Sequence, residues 1–225
     1  MITVDRVRAC YGDRLVLDDI TVTLGEKRVG VIGANGSGKS TFARLLNGLL
    51  LPTSGLVTVD GLDTRESGRA VRRKVGFVFQ NPDNQIVQPT VAEDVAFGLK
   101  NLGLARRDIA GKVGEILGRY GLEHLRDRQS HLLSGGEKQL LALAGVLVMR
   151  PAYVVLDEPT TLLDWANRRR LMDALAGLDE TVILVTHDLD TLTGFDRVLV
   201  IDHGRLAVDD TPREAVRGYL ELVSG

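Results

Sequence analysis

At 225 residues, with 44% hydrophobic and 26% charged side chains, the chain has ordinary globular makeup at about one and a half average domain lengths, which excludes disordered and fibrous classes. Lys and Arg number 28 against 30 Asp and Glu, a net charge of −2, so no global basic field directs it to nucleic acid. The one cysteine, Cys10, excludes an intramolecular disulfide framework, and no Cys/His cluster has metal-site spacing.

The longest nearly unbroken apolar run, residues 140–149, falls well short of the ~20 residues that a spanning helix needs. The first six residues, Met1-Ile2-Thr3-Val4-Asp5-Arg6, lack the basic-then-apolar order of a signal peptide. These features predict a cytoplasmic chain that meets a membrane only through a partner. Strands are expected over residues 2–8, 16–24 and 29–32, then a helix over 39–49 that ends near Pro52. Short strands follow at 56–59 and 75–79. Apolar residues then take helical spacing from about 90 to 149, as Ile109, Val113, Ile116, Leu117 and Tyr120 do. Apolar strands at 153–156 and 182–185 flank a helix around 167–178, and 198–208 reads as a hairpin centred on Asp202-His203-Gly204. Continuous apolar strands alternating with helices predict an α/β core with a parallel sheet, interrupted by a mainly helical insertion.

Gly33-Ala34-Asn35-Gly36-Ser37-Gly38-Lys39-Ser40-Thr41 fits GxxxxGK[ST] and lies between an apolar strand and a helix. Its glycines let backbone N–H groups turn inward on phosphate oxygens, and the following helix adds its positive end. Lys39 is expected to reach the outer phosphates, and the Ser40 hydroxyl to ligate Mg²⁺. The strand Tyr153-Val154-Val155-Leu156 ends in Asp157 and Glu158. Asp157 would meet Mg²⁺ beside Ser40, while Glu158 points elsewhere and suits orienting or deprotonating a water. Together these residues specify a Mg-nucleoside-triphosphate site. A second anion site is expected where Ser134 and two glycines open a helix running to about residue 149.

That second site lies in Leu133-Ser134-Gly135-Gly136-Glu137-Lys138-Gln139, which resembles the signature sequence of ATP-binding-cassette (ABC) ATPases. The resemblance extends along essentially the whole chain. It implies an α/β fold: a P-loop NTPase core with an N-terminal antiparallel β subdomain and a helical insertion. Residues 1–225 would form one ABC ATPase domain, with 1–82 and 151–225 as core and about 83–150 as the helical signature subdomain. ATP and Mg²⁺ are the implied ligands. Two cassettes would pack head to tail, each signature covering the γ-phosphate on the other's phosphate loop through Ser134, Gly135, Gly136, Gln139 and Asp164. By the same resemblance Tyr11 stacks on adenine; Gly33, Asn35, Gly36, Ser37, Gly38, Lys39, Ser40 and Thr41 hold the phosphates; Ser40, Gln80 and Asp157 attend Mg²⁺; and Glu158, His187 and Gln80 serve hydrolysis. In Thr161-Leu162-Leu163-Asp164, Leu162 replaces the family's usual small residue.

Three kinds of ABC ATPase compete. DNA-repair members separate loop and signature by a long coiled coil, which is absent between Lys39 and Ser134. Ribosome-acting members usually carry two cassettes. A transporter's energy subunit remains, peripheral on the inner face of a prokaryotic membrane, without nucleic acid as partner. Gln80-Asn81-Pro82-Asp83-Asn84-Gln85, with Pro89-Thr90-Val91-Ala92-Glu93-Asp94 after it, is similar to the ATPases of energy-coupling-factor (ECF) importers. These act with a transmembrane coupling protein and a substrate-binding membrane protein. Asp83, Glu93 and Asp94 would receive basic residues of that partner. Lacking the C-terminal extension of many ECF ATPases, the chain resembles those of dedicated biotin or cobalt/nickel systems, and Thr160-Thr161-Leu162-Leu163-Asp164 resembles the biotin-system ATPases. Other ABC importers and exporters, and soluble ABC ATPases, are the alternatives.

Overall fold

Alternation of apolar and polar residues builds the first sheet. In β1 (Ile2–Tyr11) the side chains of Ile2, Val4, Val7 and Ala9 are buried, and β2 (Arg14–Leu24) buries Leu17, Ile20, Val22 and Leu24. With β4 (Ser54–Val59) and β5 (Leu62–Asp63) they form an antiparallel sheet in the order β2-β1-β4-β5. The computed structural model describes residues 1–224, which fall into two compact units. The first holds Met1–Val75, Ala152–Glu158 and everything described from Glu180 onward; the second holds Gly76–Pro151 and Pro159–Asp179.

The inner strands of the first unit's other sheet have no polar face. In β3 (Arg28–Ile32), β7 (Tyr153–Asp157) and β8 (Thr181–Val185) nearly every residue is buried, as strands covered on both sides require. They run parallel in the order β10-β9-β3-β8-β7, where β9 (Arg197–Asp202) is parallel to β3 and antiparallel to β10 (Arg205–Asp210). His203 (φ 45°) and Gly204 (φ 78°) make the predicted turn, left-handed at both central positions. The helices are α1 (Lys39–Leu46), α2 (Gly68–Lys74) and α7 (Pro212–Ser224).

The second unit receives most of β6 (Val75–Val78), followed by α3 (Val91–Asn101), α4 (Arg106–Arg119), α5 (Gly135–Leu147) and α6 (Trp165–Ala176). The helical texture of 90–149 is thus three helices. Gly103 (φ 79°) and Gly121 (φ 68°) stop the first two, positions where a side chain would be strained. The helix expected to reach residue 49 ends at Leu46, because Asn47 and Gly48 (φ 68°) turn the chain. One expectation is overturned: Asp94 does not offer its charge to a partner. It is buried and its carboxylate accepts the Val87 and Gln88 N–H groups at 2.8 and 3.0 Å.

Candidate nucleotide site

The chain leaves β3 at Gly33, whose φ of 151° and proximity to its neighbours exclude any side chain: a Cβ there would lie 2.1 Å from the Ile201 carbonyl oxygen. Gly36 (φ 80°) and Gly38 (φ 108°) continue the left-handed turn, and α1 starts without a side-chain cap. Its first N–H groups therefore stay open toward the loop. Lys39 is 5% exposed and donates to the carbonyls of Gly33 and Ala34, both at 2.9 Å. Burial lowers its pKa, and the nearby charges of Glu158 and Asp157 oppose that shift. The buried Ser37 hydroxyl has no hydrogen-bond partner. Thr41 is buried, while Asn35 and Tyr11, at the end of β1, are exposed.

Strand β7 delivers Asp157 beside the loop. Its carboxylate, 3% exposed, accepts the Ser40 hydroxyl at 2.8 Å. Burial raises its pKa, only partly offset by the Ser40 bond and by Arg44. The next residue turns away: Glu158 has φ 47°, its N–H donates to the Val185 carbonyl at 2.9 Å, and its Oε2 lies 3.0 Å from His187 Nδ1. The first unit thus assembles the loop, Asp157, Glu158 and His187.

The second unit assembles the other group. Ser134 caps α5 in a reciprocal box: its hydroxyl accepts from the Glu137 N–H, while the Glu137 carboxylate accepts the Ser134 N–H at 2.7 Å and its hydroxyl at 2.8 Å. The Ser134 N–H bond is the first cause holding the Glu137 carboxyl below its ordinary range. Ser134 and Gly135 are exposed, whereas Gly136 is buried against Asn167, whose Cγ a Cβ at 136 would meet at 2.2 Å. Asn167 also donates its N–H and its side-chain amide to Asp164, at 2.8 and 3.0 Å, so signature and Asp164 form one contiguous face. Gln139 is 2% exposed and points inward, its amide 3.5 Å from the Phe79 carbonyl. Gln80 is exposed just beyond β6.

Sequence reasoning missed three supports: Asn167, the Lys138–Asp83 ion pair at 2.7 Å and the Gln85 amide on the Ala142 carbonyl at 2.9 Å. Only Asn167, three residues after a capping Asp, leaves a local signal.

The family profile described as ABC transporter matches residues 17–161. The chain belongs to the ABC transporter family. It is an ATPase that powers a membrane transporter. A putative ABC transporter ATP-binding protein of Deinococcus radiodurans is 60% identical over 224 residues, covering 100% of this ABC protein and 99% of the relative. The biotin transport ATP-binding protein BioM of Rhizobium etli is 49% identical over 214 residues, 95% of each. Among solved structures, cbiO1 of Clostridium perfringens, part of the ABC transporter complex cbiONQ, superposes with a TM-score of 0.85 at 36% identity, over 99% of this chain and 92% of that one. A dimeric bacterial ABC transporter cassette gives 0.85 at 28% identity, over 95% and 99%. Among the described residues, no helix of this ABC protein is long and apolar enough to cross a membrane.

Proposed function

We propose that this chain is the ATPase of an ECF-type importer, that two cassettes close on ATP held between phosphate loop and signature, and that hydrolysis reopens them. The observation that carries this is the convergence, in one unit, of the open helix end with buried Lys39 and the Glu158–His187 pair. Phosphate oxygens would replace the two loop carbonyls now bound by Lys39 and give the Ser37 hydroxyl a partner.

Ser40 and Asp157 offer two hard oxygens in contact, and the Asp157 charge lacks full compensation. This donor set suits Mg²⁺, which takes one or two protein oxygens and completes its shell with phosphate and water. Bound there, Mg²⁺ supplies charge neutralisation of the phosphate oxygens. Glu158 takes a proton as the water oxygen bonds to the γ-phosphorus, and the bond from that phosphorus to the β–γ bridging oxygen breaks, leaving ADP and phosphate. His187, 3.0 Å from Glu158, holds that carboxylate in place. Gln80 keeps the metal and water contact that the resemblance gives it, and Tyr11 that of adenine platform. Ser134, Gly135 and the Asp164 loop would close the site from the second cassette. Gly136 and Gln139, turned inward, would act by shaping that face.

The membrane partners fit a cavity of about 290 Å³ in the second unit, whose lining includes Asp83, Ile86, Val87 and Pro89. Val87 is exposed there, so an apolar helix end of a transmembrane coupling protein has a seat. A subunit seated on such a partner would lie on the inner face of the membrane. Biotin, as for the relative BioM, or cobalt/nickel is the proposed cargo, carried by a substrate-binding membrane protein.

Glu158→Gln should slow hydrolysis by about 10²–10⁴-fold while retaining ATP, so that gel filtration shows an ATP-loaded dimer. Adding Ser134→Arg should leave ATP on the monomer and remove the dimer. Turnover per subunit that stays constant on dilution, with light scattering reading monomer throughout, would overturn the shared-nucleotide arrangement.

A further inference from the structure

Thr191 is not in the phosphate loop, the strand ends or the signature, yet it fastens the segment that carries His187. Upstream of His187 the chain is fixed by β8 and its extension: Thr186 donates its N–H to the Val31 carbonyl at 3.0 Å, and Val185 accepts the N–H of Glu158 at 2.9 Å. Both members of the Glu158–His187 pair therefore hang from the same strand end. Downstream the chain enters a 3₁₀ turn, Leu189–Leu192. Its last residue, Leu192, is buried among Ile32, Val198 and Val200 and lies over Gly30 of β3, where a Cβ would meet it at 2.5 Å.

Between these anchors, one side chain closes the loop. The Thr191 hydroxyl, in a residue 5% exposed, donates to the Asp188 carbonyl at 2.6 Å and lies 3.5 Å from the Thr186 hydroxyl. Thr186 Oγ1 in turn accepts the Asp188 N–H at 3.0 Å. Both polar backbone groups of the residue after His187 thus bond to buried threonine hydroxyls, the carbonyl also accepting the Thr191 N–H at 3.2 Å. The His187 ring itself is exposed and meets Glu158 through one nitrogen. An exposed ring keeps a fixed place only as well as its backbone does.

We propose that Thr191 is a positioning residue for hydrolysis, acting through the 186–188 loop to hold His187 on Glu158. This rests on the role given to that pair above. Thr191→Val keeps shape and removes only the hydroxyl, leaving the Asp188 carbonyl one donor short. It should lower kcat about three- to thirtyfold with KM for ATP within twofold, and Thr191→Ser should restore the parent rate.

The decisive measurement is a double-variant cycle on the full chain, with ATPase rates and thermal melts for Thr191→Val, His187→Ala and both together. If Thr191 acts through His187, the double variant is no slower than His187→Ala alone. Multiplicative losses, an unchanged kcat in a folded Thr191→Val, or failure of Thr191→Ser to rescue would each overturn the proposal. A His187→Ala that hydrolyses at the parent rate would instead overturn the role of the pair itself.

Discussion

At the scale of single residues, charge placement sets both chemistry and stability. Asp60 is a clear case away from the site: its carboxylate takes Lys74 Nζ at 2.7 Å, the Met1 amino group at 2.6 Å and the Tyr153 hydroxyl at 2.7 Å. The Lys74 bond comes first among the causes holding it far below its ordinary 3.8. Tyr153 is pushed up to about 12, chiefly by burial. A carboxyl with a lowered folded pKa stabilises the protein above its unfolded value and loses that contribution as pH falls. Asp60→Asn should therefore cost about 1 kcal/mol at pH 7, allowing for partial exposure, a difference kept down to about pH 4 and lost only progressively below it, because the folded carboxyl stays ionised far under its ordinary value. Melting curves of both proteins should stay apart from about pH 7 to about pH 4 and draw together only well below about pH 3. The residues to which the proposed chemistry falls were legible in the sequence, because Lys39, Ser40, Asp157 and Glu158 sit in short windows whose order dictates their surroundings. The packing around the signature helix was not. Gln85 and Lys138 meet Ala142 and Asp83 on other elements, and no local pattern records which element arrives; Thr191 bonds to Asp188 only three residues away, a spacing too common to single it out.

At the scale of elements, strands were easier to read than helix ends. The apolar runs of β3, β7 and β8 are buried on both faces and so announce themselves. α2 carries one buried residue, Val71, and four of its seven residues are Arg or Lys, which hides it from a hydrophobic pattern. α7 sets Ala215, Val216 and Tyr219 toward the core at helical spacing, but buries only Ala215 fully, too thin an apolar stripe to mark a helix. At the start of α5, packing against Asn167 leaves room for a glycine alone. In Gly136→Ala the new methyl would collide with Asn167, the residue that ties Asp164 to this helix end. ATP-driven dimerisation in the Glu158→Gln background should weaken at least tenfold, whereas ATP binding to the isolated subunit should persist. Analytical ultracentrifugation with and without ATP reads both.

For the whole molecule, closing two copies from 1:99 to 99:1 takes ~5.5 kcal/mol, within reach of a few charge-assisted hydrogen bonds at about 1.5–3 kcal/mol each. The chain carries its own reporter. Trp165, the single tryptophan, is 72% exposed and follows Asp164 directly, with Arg169 over its ring at 5.6 Å. Closure over the Asp164 loop should shift its emission to the blue when ATP and Mg²⁺ are added to Glu158→Gln; a dimer by light scattering with unshifted emission would place the contact elsewhere. The left-handed backbone of Glu158 bears on the same balance. A branched or long residue in that conformation costs roughly 1–2 kcal/mol that any glycine would recover. Folding alone would thus favour erasing the carboxylate; Glu158 is one of six non-glycine residues held left-handed among the described residues, and the proposed role in turnover accounts for its being kept there.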